Sequence, residues 1–330
     1  MKASVTIGAL LGIALATALV VYYGSAAVGE AVLSAGWRGL LAMTAAYLAS
    51  VVLCALAWRV LILPPFPHAV AVSHWVRLVR DSVGNVLAII PAMGEMVAAR
   101  ELTAFGIRSG PAIASTVVDL TLETISQLFF TLLGLVILAW QRPDEALAGW
   151  ALLGVVLSAL AMAGFVAAQR MGLFRVLQSL PERLGLTASW NTDSGTAQSL
   201  HDSIEDIYRD PRRLALSTLL HFAAWIVGAA EAWVALWFMG HPLSFGDILV
   251  IESLIYAIRS VAFAVPWAAG VQEGGYVAFG ALFGLGPEVA LGLSLLKRAR
   301  EVLVSIPILL VWQAIEARRL LAKADDGGRA

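Results

Sequence analysis

Asp119, Glu123 and Gln127 recur every four residues inside the apolar run Pro111–Trp140, with Ser115 one turn earlier. On a helix that spacing puts them on one face. In a bilayer, each ionised carboxylate at mid-depth costs roughly 2.5–3.5 kcal/mol. Such a stripe must face a bundle interior, pair with cations or take up protons. Cations stand in two other apolar runs: Lys297, Arg298 and Arg300 within Glu288–Trp312, where Glu301 follows, and Arg259 within Phe245–Val265. Glu252, Tyr256 and Arg259 share a face in the latter run. Two readings fit these residues. One is a polar cavity that takes a lipid head group or a coupling ion; the other is a set of buried ion pairs that orders the helices without a ligand. Glu231 and His221, in Leu214–Met239, lack a partner along their own helix and read as packed polar or rim residues.

Two further apolar stretches are broken by Gly and Pro. Ser82–Gly106 contains Gly84, Pro91, Gly94 and Gly106; Pro266–Gly286 contains Pro266, Gly270, Gly274, Gly275, Gly280 and Gly284. Broken helices at membrane depth are tolerated where they pack in protein or line a wet cavity. A shift of 178 residues pairs Glu95 with Glu273, Phe105-Gly106 with Phe283-Gly284 and Glu123 with Glu301, and sets Asp119 opposite Lys297. Paired broken segments in two halves point to an internal repeat and a transport site near the midplane. Ahead of the first, Ser73–Asn85 places Arg77, Asp81 and Asn85 four apart, with Arg80 between them. That pattern predicts a short interfacial helix whose Arg77, Arg80 and Asn85 hold lipid phosphates or anchor the segment by snorkelling.

The elements that must carry these residues are helices in lipid. Of 330 residues, 60% are hydrophobic and 14% charged, with a mean hydropathy of +0.83. Soluble domains carry about 25% charged residues, so a water-soluble enzyme is excluded, and so much apolar surface excludes disorder. The expected class is all-α: a polytopic helical membrane bundle of about eight transmembrane helices with two broken or re-entrant segments. The expected spans are Val5–Tyr23, Gly39–Leu63, Pro111–Trp140, Gly149–Ala168, Leu214–Met239, Phe245–Val265 and Glu288–Trp312. The first is too long for a signal-peptide core and reads as retained. Trp37, Trp58, Trp140, Trp150, Trp237, Trp267 and Trp312 fall near the span ends, as interfacial aromatics do. Residues 1–320 read as one membrane domain with a loop at 169–213, and 321–330 as a polar tail.

Short-loop Lys and Arg set the orientation. The segment Gly24–Gly36 has none and reads as outside; Arg59, the Arg-rich stretch Gln169–Arg213 and the tail with Arg318, Arg319 and Lys323 read as cytoplasmic. Both termini are then cytoplasmic. Seven spans starting inside would end outside, which calls for one more crossing, and Pro266–Gly286 is the favoured place for it.

Catalytic signatures are sparse. None of the five histidines forms an HExxH pair, and the GxSxG elbow, P-loop and dinucleotide fingerprint are missing. The acidic run Asp202–Asp206 reads as a solvated helix face. A single cysteine, Cys54, excludes an internal disulfide or a cysteine metal cluster. No cofactor or metal is expected, and a net charge of -1 leaves no nucleic-acid footprint. Membrane lipids are the expected partners, and homo-oligomerisation is compatible with all of this.

Three runs carry a family resemblance: Val76-Arg-Leu-Val-Arg-Asp-Ser-Val-Gly-Asn-Val-Leu, Gly94-Glu-Met-Val-Ala-Ala-Arg (ending at Arg100) and Ala114-Ser-Thr-Val-Val-Asp-Leu-Thr-Leu-Glu. They resemble the hopanoid-biosynthesis-associated membrane proteins of the HpnL group, which are similar to the transmembrane flippase region of lysylphosphatidylglycerol synthases such as MprF. Pro266, Gly270, Glu273 and Gly274, with Arg298 downstream, resemble the same family's P-x-G-x-x-E pattern. The likeness runs over roughly residues 40 to 315. It departs at Met93-Gly94-Glu95, where a Gly-Gly-Glu is expected. The resemblance implies a bacterial inner-membrane protein that binds or flips polar lipids: hopanoid-related, aminoacylated or glycosylated. Aminoacylation is not implied, because the synthases' soluble transferase region has no counterpart in the sequence. An intramembrane lipid-modifying enzyme and a scaffold for hopanoid-biosynthesis enzymes are the alternatives. The expected cavity residues are Glu95, Arg100, Asp119, Glu123, Gln127, Glu252, Arg259, Glu273, Lys297, Arg298 and Glu301.

Overall fold

A computed structural model describes residues 17–62, 68–86, 92–141, 194–262, 265 and 268–327, with single helical positions at 156, 160 and 163. Among the described residues the chain is helical and contains no strand. The first half runs α1 (Ser25–Leu61), α2 (Ala69–Val86), α3 (Met93–Ala104) and α4 (Ser109–Gln141). After α5 (Ser194–Tyr208), the second half runs α6 (Pro211–Phe238), α7 (Phe245–Val261), α8 (Val271–Ala281) and α9 (Pro287–Gly327). The helices α1, α4 and α6 are long and apolar enough to cross a membrane. The expected span Gly149–Ala168 and most of Val5–Tyr23 lie outside the described residues.

The halves repeat each other element for element. Ala92 and Gly270, which precede the two short helices, both adopt positive φ (63° and 76°). Gly106 and Gly284, which follow them, do so as well (89° and 79°). Each pair is 178 residues apart, as are Met93 and Val271 and the starts of α4 and α9 at Ser109 and Pro287. The halves also exchange arms. The second half's α7 runs antiparallel along α4 of the first: Gln127 Nε2 donates to Ser260 Oγ at 2.6 Å and Gln141 Nε2 to Asp247 Oδ1 at 3.1 Å. Reciprocally, Val79 and Val83 of α2 pack on Leu309 of α9. Between the arms, α1 and α6 pack antiparallel, with Gly39 against Phe238 and Gly228 against Ser50.

These contacts sort the helix ends onto two faces. The end of α1 (Leu61), the start of α4 and helix α5 share one apolar cluster, and the ends of α3 and α9 meet through Arg100 and Glu316. On the opposite face lie the start of α1, the end of α6 and the starts of α7 and α9, where Ala31 and Met239 flank Gly292. The pair α2/α3 therefore enters from one face and returns to it. The pair α7/α8 does the same from the other, because α8 ends against Leu285 and Ala290 beside the start of α9. This keeps the sides that the expected crossing at Pro266–Gly286 calls for but changes its depth: the helix α8 has 11 residues, about 16 Å, short of the roughly 30 Å of a full crossing, and a hydropathy count over a broken segment does not register that. The two halves have inverted topology, an arrangement found in transporters that bind substrate where discontinuous helices meet.

Two local expectations also change. The stretch Gly24–Gly36, expected as a loop, is helical from Ser25 on; the chain turns at Gly24 (φ 95°) and again at Gly36, whose φ of 60° interrupts α1. Trp58, expected at an interface, is fully buried and donates to Ser115 Oγ at 3.4 Å. Trp37, Trp140 and Trp237 are exposed, all on the face of the α7 start, and form an aromatic belt there. Helix starts follow local chemistry: Asp210 accepts from the backbone N–H of Arg212 and Arg213 ahead of α6, with Pro211 at the first position, and Ser244 accepts from Asp247 ahead of α7.

Candidate functional site

The carboxylate stripe of α4 meets the cations of α2. Arg77 grips Glu123 with both terminal nitrogens (2.6 and 3.1 Å) and turns its Nε to Asp81 at 3.0 Å. Arg80 donates to Asp119 at 2.8 Å, to Glu123 at 3.1 Å and to Glu95 at 3.1 Å. From α6, the His221 Nε2 lies 2.9 Å from Asp119 Oδ1. Arg77 and Arg80 are thus not the lipid-facing anchors expected of them; both are buried and paired within the bundle. The four-residue periodicity of α2 does mark one polar face, but that face is turned to protein. Of the expected cations for the stripe, those on α9 serve other groups, and Arg259 on α7 makes no ion pair with it within 4.0 Å.

Those groups form a second cluster. Lys297 donates to Glu252 at 2.6 Å, and Tyr276 donates to the same carboxylate at 2.6 Å. Arg300 makes a two-pronged contact with Glu231 at 2.7 and 2.9 Å, so Glu231 has the partner that its own helix could not supply. At the first turn of α8, Glu273 accepts from Arg298 Nε at 2.7 Å and from the Gly270 backbone N–H at 2.7 Å. Bidentate and charge-assisted contacts of this kind are the strong ones. They satisfy charges that lipid could not solvate.

Between the clusters lies a cavity of about 340 Å³, walled by α1, α2, α3, α4, α6, α7 and α9. Of the expected residues, Arg77, Arg80, Asn85, Glu95, Glu123, Gln127, Arg259 and Glu301 line it. Asp119 sits one layer behind, fully buried. Glu252, Glu273, Lys297 and Arg298 lie outside the lining, so only the first of the two broken-helix glutamates reaches the cavity. Arg100 is elsewhere: its side chain is 60% exposed and pairs with Glu316 near the end of the bundle. Within the lining, Arg77, Arg80, Asp81, Glu95, Glu123, Glu231 and Arg300 are committed to ion pairs. Arg259 and Glu301 have no ion pair within 4.0 Å among the described residues; the Arg259 guanidinium lies over the Tyr256 ring at 5.9 Å. Tyr47, Cys54, Asp81, Trp225, Tyr256 and Arg300 complete much of the wall. Sequence reading does not place Tyr47 or Cys54 there, because nothing in their apolar surroundings distinguishes them.

Against this geometry stands one comparison. The family model described as the lysylphosphatidylglycerol synthase TM region matches residues 9–308. The chain belongs to that family. No curated protein and no solved structure matches it. A membrane-embedded, lipid-related protein follows from the family together with the apolar helices. The matched stretch contains all the cavity residues described above, so the polar cavity lies within the family's transmembrane region.

The departure at Met93 leaves the turn intact. Ala92 takes the positive φ ahead of α3, Met93 is already helical, and Gly94 stands where a side chain has no room: a Cβ there would stand 2.6 Å from the Arg80 carbonyl oxygen. The close approach of α3 to α2 through Gly94 is what brings Glu95 within reach of Arg80.

Proposed function

We propose that this chain takes the polar head group of a membrane lipid into the cavity between its two halves and carries it across the bilayer, with the acyl chains remaining in hydrocarbon. The observation that carries this reading is the state of Arg259 and Glu301. They face a polar cavity at membrane depth as opposite charges that act on each other without closing to an ion pair within 4.0 Å. An intramembrane charge costs several kcal/mol unless something polar meets it, and a phosphate with hydroxyl or amine groups is a fitting counterpart. Inverted re-entrant arms supply the machinery, since rocking one half against the other exposes a site between them to each side in turn. The cargo class that fits the family is a hopanoid-related, aminoacylated or glycosylated lipid. The membrane is the bacterial inner membrane, with both termini cytoplasmic. The positive-inside rule supports this orientation, because Arg209, Arg212 and Arg213 share a face with Arg318 and Arg319.

The test is translocation of fluorescent head-group-labelled lipids in proteoliposomes, comparing wild type with Arg259→Gln and Glu301→Gln. Movement in wild type and a loss of about tenfold or more in both variants, with unchanged unfolding midpoints, is the expected result. Wild type moving none of a broad anionic, zwitterionic and glycosylated panel would overturn it. Lipid profiling of a deletion strain would then separate a lipid-modifying enzyme, whose precursor accumulates, from a scaffold.

A further inference from the structure

We infer that Cys54, His221 and Glu123 form a transition-metal site of the zinc class in the wall of the cavity. One donor atom from each of the three residues lies within 4.8 Å of the other two, although they come from α1, α6 and α4 and share no sequence motif. Thiolate, imidazole and carboxylate together suit Zn²⁺ or its spectroscopic substitute Co²⁺. With bond lengths of about 2.0–2.3 Å, a tetrahedral ion holds its donors roughly 3.3–3.8 Å apart, so the observed set closes on an ion with a shift of about 1 Å.

Three observations point to an ion and not to chance proximity. His221 is fully buried; its Nε2 is committed to Asp119 at 2.9 Å, and its Nδ1 makes no hydrogen bond of normal geometry while the imidazole interacts with the Cys54 thiol. A carboxylate on one ring nitrogen with the other left free is how proteins orient metal-binding histidines. Glu123 accepts three hydrogen bonds, one on Oε1 and two on Oε2. A carboxylate offers about four acceptor positions, so Oε1 retains a lone pair for a metal. Finally, the network around the site is rich in carboxylates: Arg77, Arg80 and His221 face Asp81, Glu95, Asp119 and Glu123, surroundings that attract a cation.

Cys54 is half-buried and, like Glu123, lines the cavity. Three protein ligands leave the fourth position of the ion open towards that space, the pattern of sites that bind a water or a ligand oxygen. Binding converts the Cys54 thiol to thiolate and releases its proton to solvent, one per ion.

The experiment uses the full chain in detergent micelles, stripped with chelator, then titrated with Co²⁺ and, in competition with a chromophoric chelator, with Zn²⁺. Expected are one ion per chain, a sulfur-to-cobalt charge-transfer band, and one proton released per Zn²⁺. Cys54→Ser should abolish the band and the proton release; His221→Gln should weaken binding by about tenfold or more. Because His221→Gln disturbs the buried Asp119, the half-buried Cys54→Ser carries the decision if the former fails to fold. Wild type that binds no Co²⁺ or Zn²⁺, or binding equal in wild type and Cys54→Ser, would overturn the site. Lipid movement plays no part in this measurement, so its outcome is separate from that of the transport reading.

Discussion

Lys297 on α9 donates to Glu252 on α7 at 2.6 Å, and the matching contact of the first half has its charges reversed: Arg80 on α2 donates to Asp119 on α4 at 2.8 Å. In both halves the re-entrant arm and the long helix that follows it are joined by a buried ion pair. Only the side that carries the cation differs.

Lys297 is 2% exposed and Glu252 is fully buried. Removing one partner of such a pair strands the other, at about 3–5 kcal/mol, whereas replacing both is far milder. Glu252→Gln or Lys297→Met alone should each lower stability by that amount. The double variant should recover most of the loss, since the amide oxygen introduced by Glu252→Gln still accepts from the Tyr276 hydroxyl. Denaturant unfolding in micelles measures all three, and a double variant no better than the worse single one would show that the joint contributes by packing alone.

Gly94 and Gly84 make a paired test of the first arm. A Cβ at Gly94 stands 2.6 Å from the Arg80 carbonyl, a rigid backbone atom, whereas at Gly84 nothing lies within 4 Å. Gly94→Ala should push α3 away from α2, break the Glu95–Arg80 contact and destabilise by roughly 1–3 kcal/mol. Gly84→Ala, within the helix α2, should stabilise by about 0.5–1 kcal/mol through the unfolded chain. Unfolding midpoints moving in opposite directions confirm the assignment; equal shifts would refute it.

Much of this arrangement is written in the sequence, and the limits have physical causes. The stripe Asp119, Glu123, Gln127 is legible because helical spacing fixes a face, and its need for cations follows from the cost of charge in lipid. Which cations answer it is not legible. Arg77 and Arg80 sit on α2 in the spacing of a surface helix, and a re-entrant helix packed in protein shows the same spacing. His221 and Glu231 find partners 102 and 69 residues away, distances over which no periodicity carries information. The 178-residue offset of Glu95/Glu273 and Phe105-Gly106/Phe283-Gly284 does show the repeat, because glycine at positive φ is a backbone requirement visible as a residue type. That both arms turn back cannot be read from apolar length.

At the end of the bundle, Glu316 ties Arg100 to Arg319, and Glu101 accepts from Arg319 and from Trp312, both at 3.0 Å. Partial burial alone would raise the Glu316 carboxyl, but the hydrogen bond from Arg319 and the charge of Arg100 outweigh it and hold it below its ordinary value of 4.5. A carboxyl with a depressed folded value contributes stability above its unfolded value and loses it as pH falls through the folded one. The clasp is therefore at full strength at neutral pH and fades below about pH 4.5. Glu316→Gln should lower the thermal midpoint at pH 7 and converge with wild type in acid. Parallel curves for the two proteins across that range would show that the clasp contributes nothing.

The inverted repeat makes a claim about sides. If α7/α8 is a hairpin from one face, Asp247 and Phe283 stand on the same side of the membrane, opposite Thr103 and Arg209; if α7 crossed in full and α8 did not return, Asp247 and Phe283 would lie on opposite sides. Cys54 is the sole cysteine, so Cys54→Ser gives a clean background for single cysteines at the four positions. Asp247 and Arg209 are surface residues, while Phe283 and Thr103 flank the positive-φ turns Gly284 and Gly106. Labelling intact cells with a membrane-impermeant maleimide should modify Asp247→Cys and Phe283→Cys alike and spare Thr103→Cys and Arg209→Cys until the membrane is opened. Unlike labelling of Asp247→Cys and Phe283→Cys would break the inverted symmetry. With it would go the argument that two arms meeting from opposite faces create the cavity.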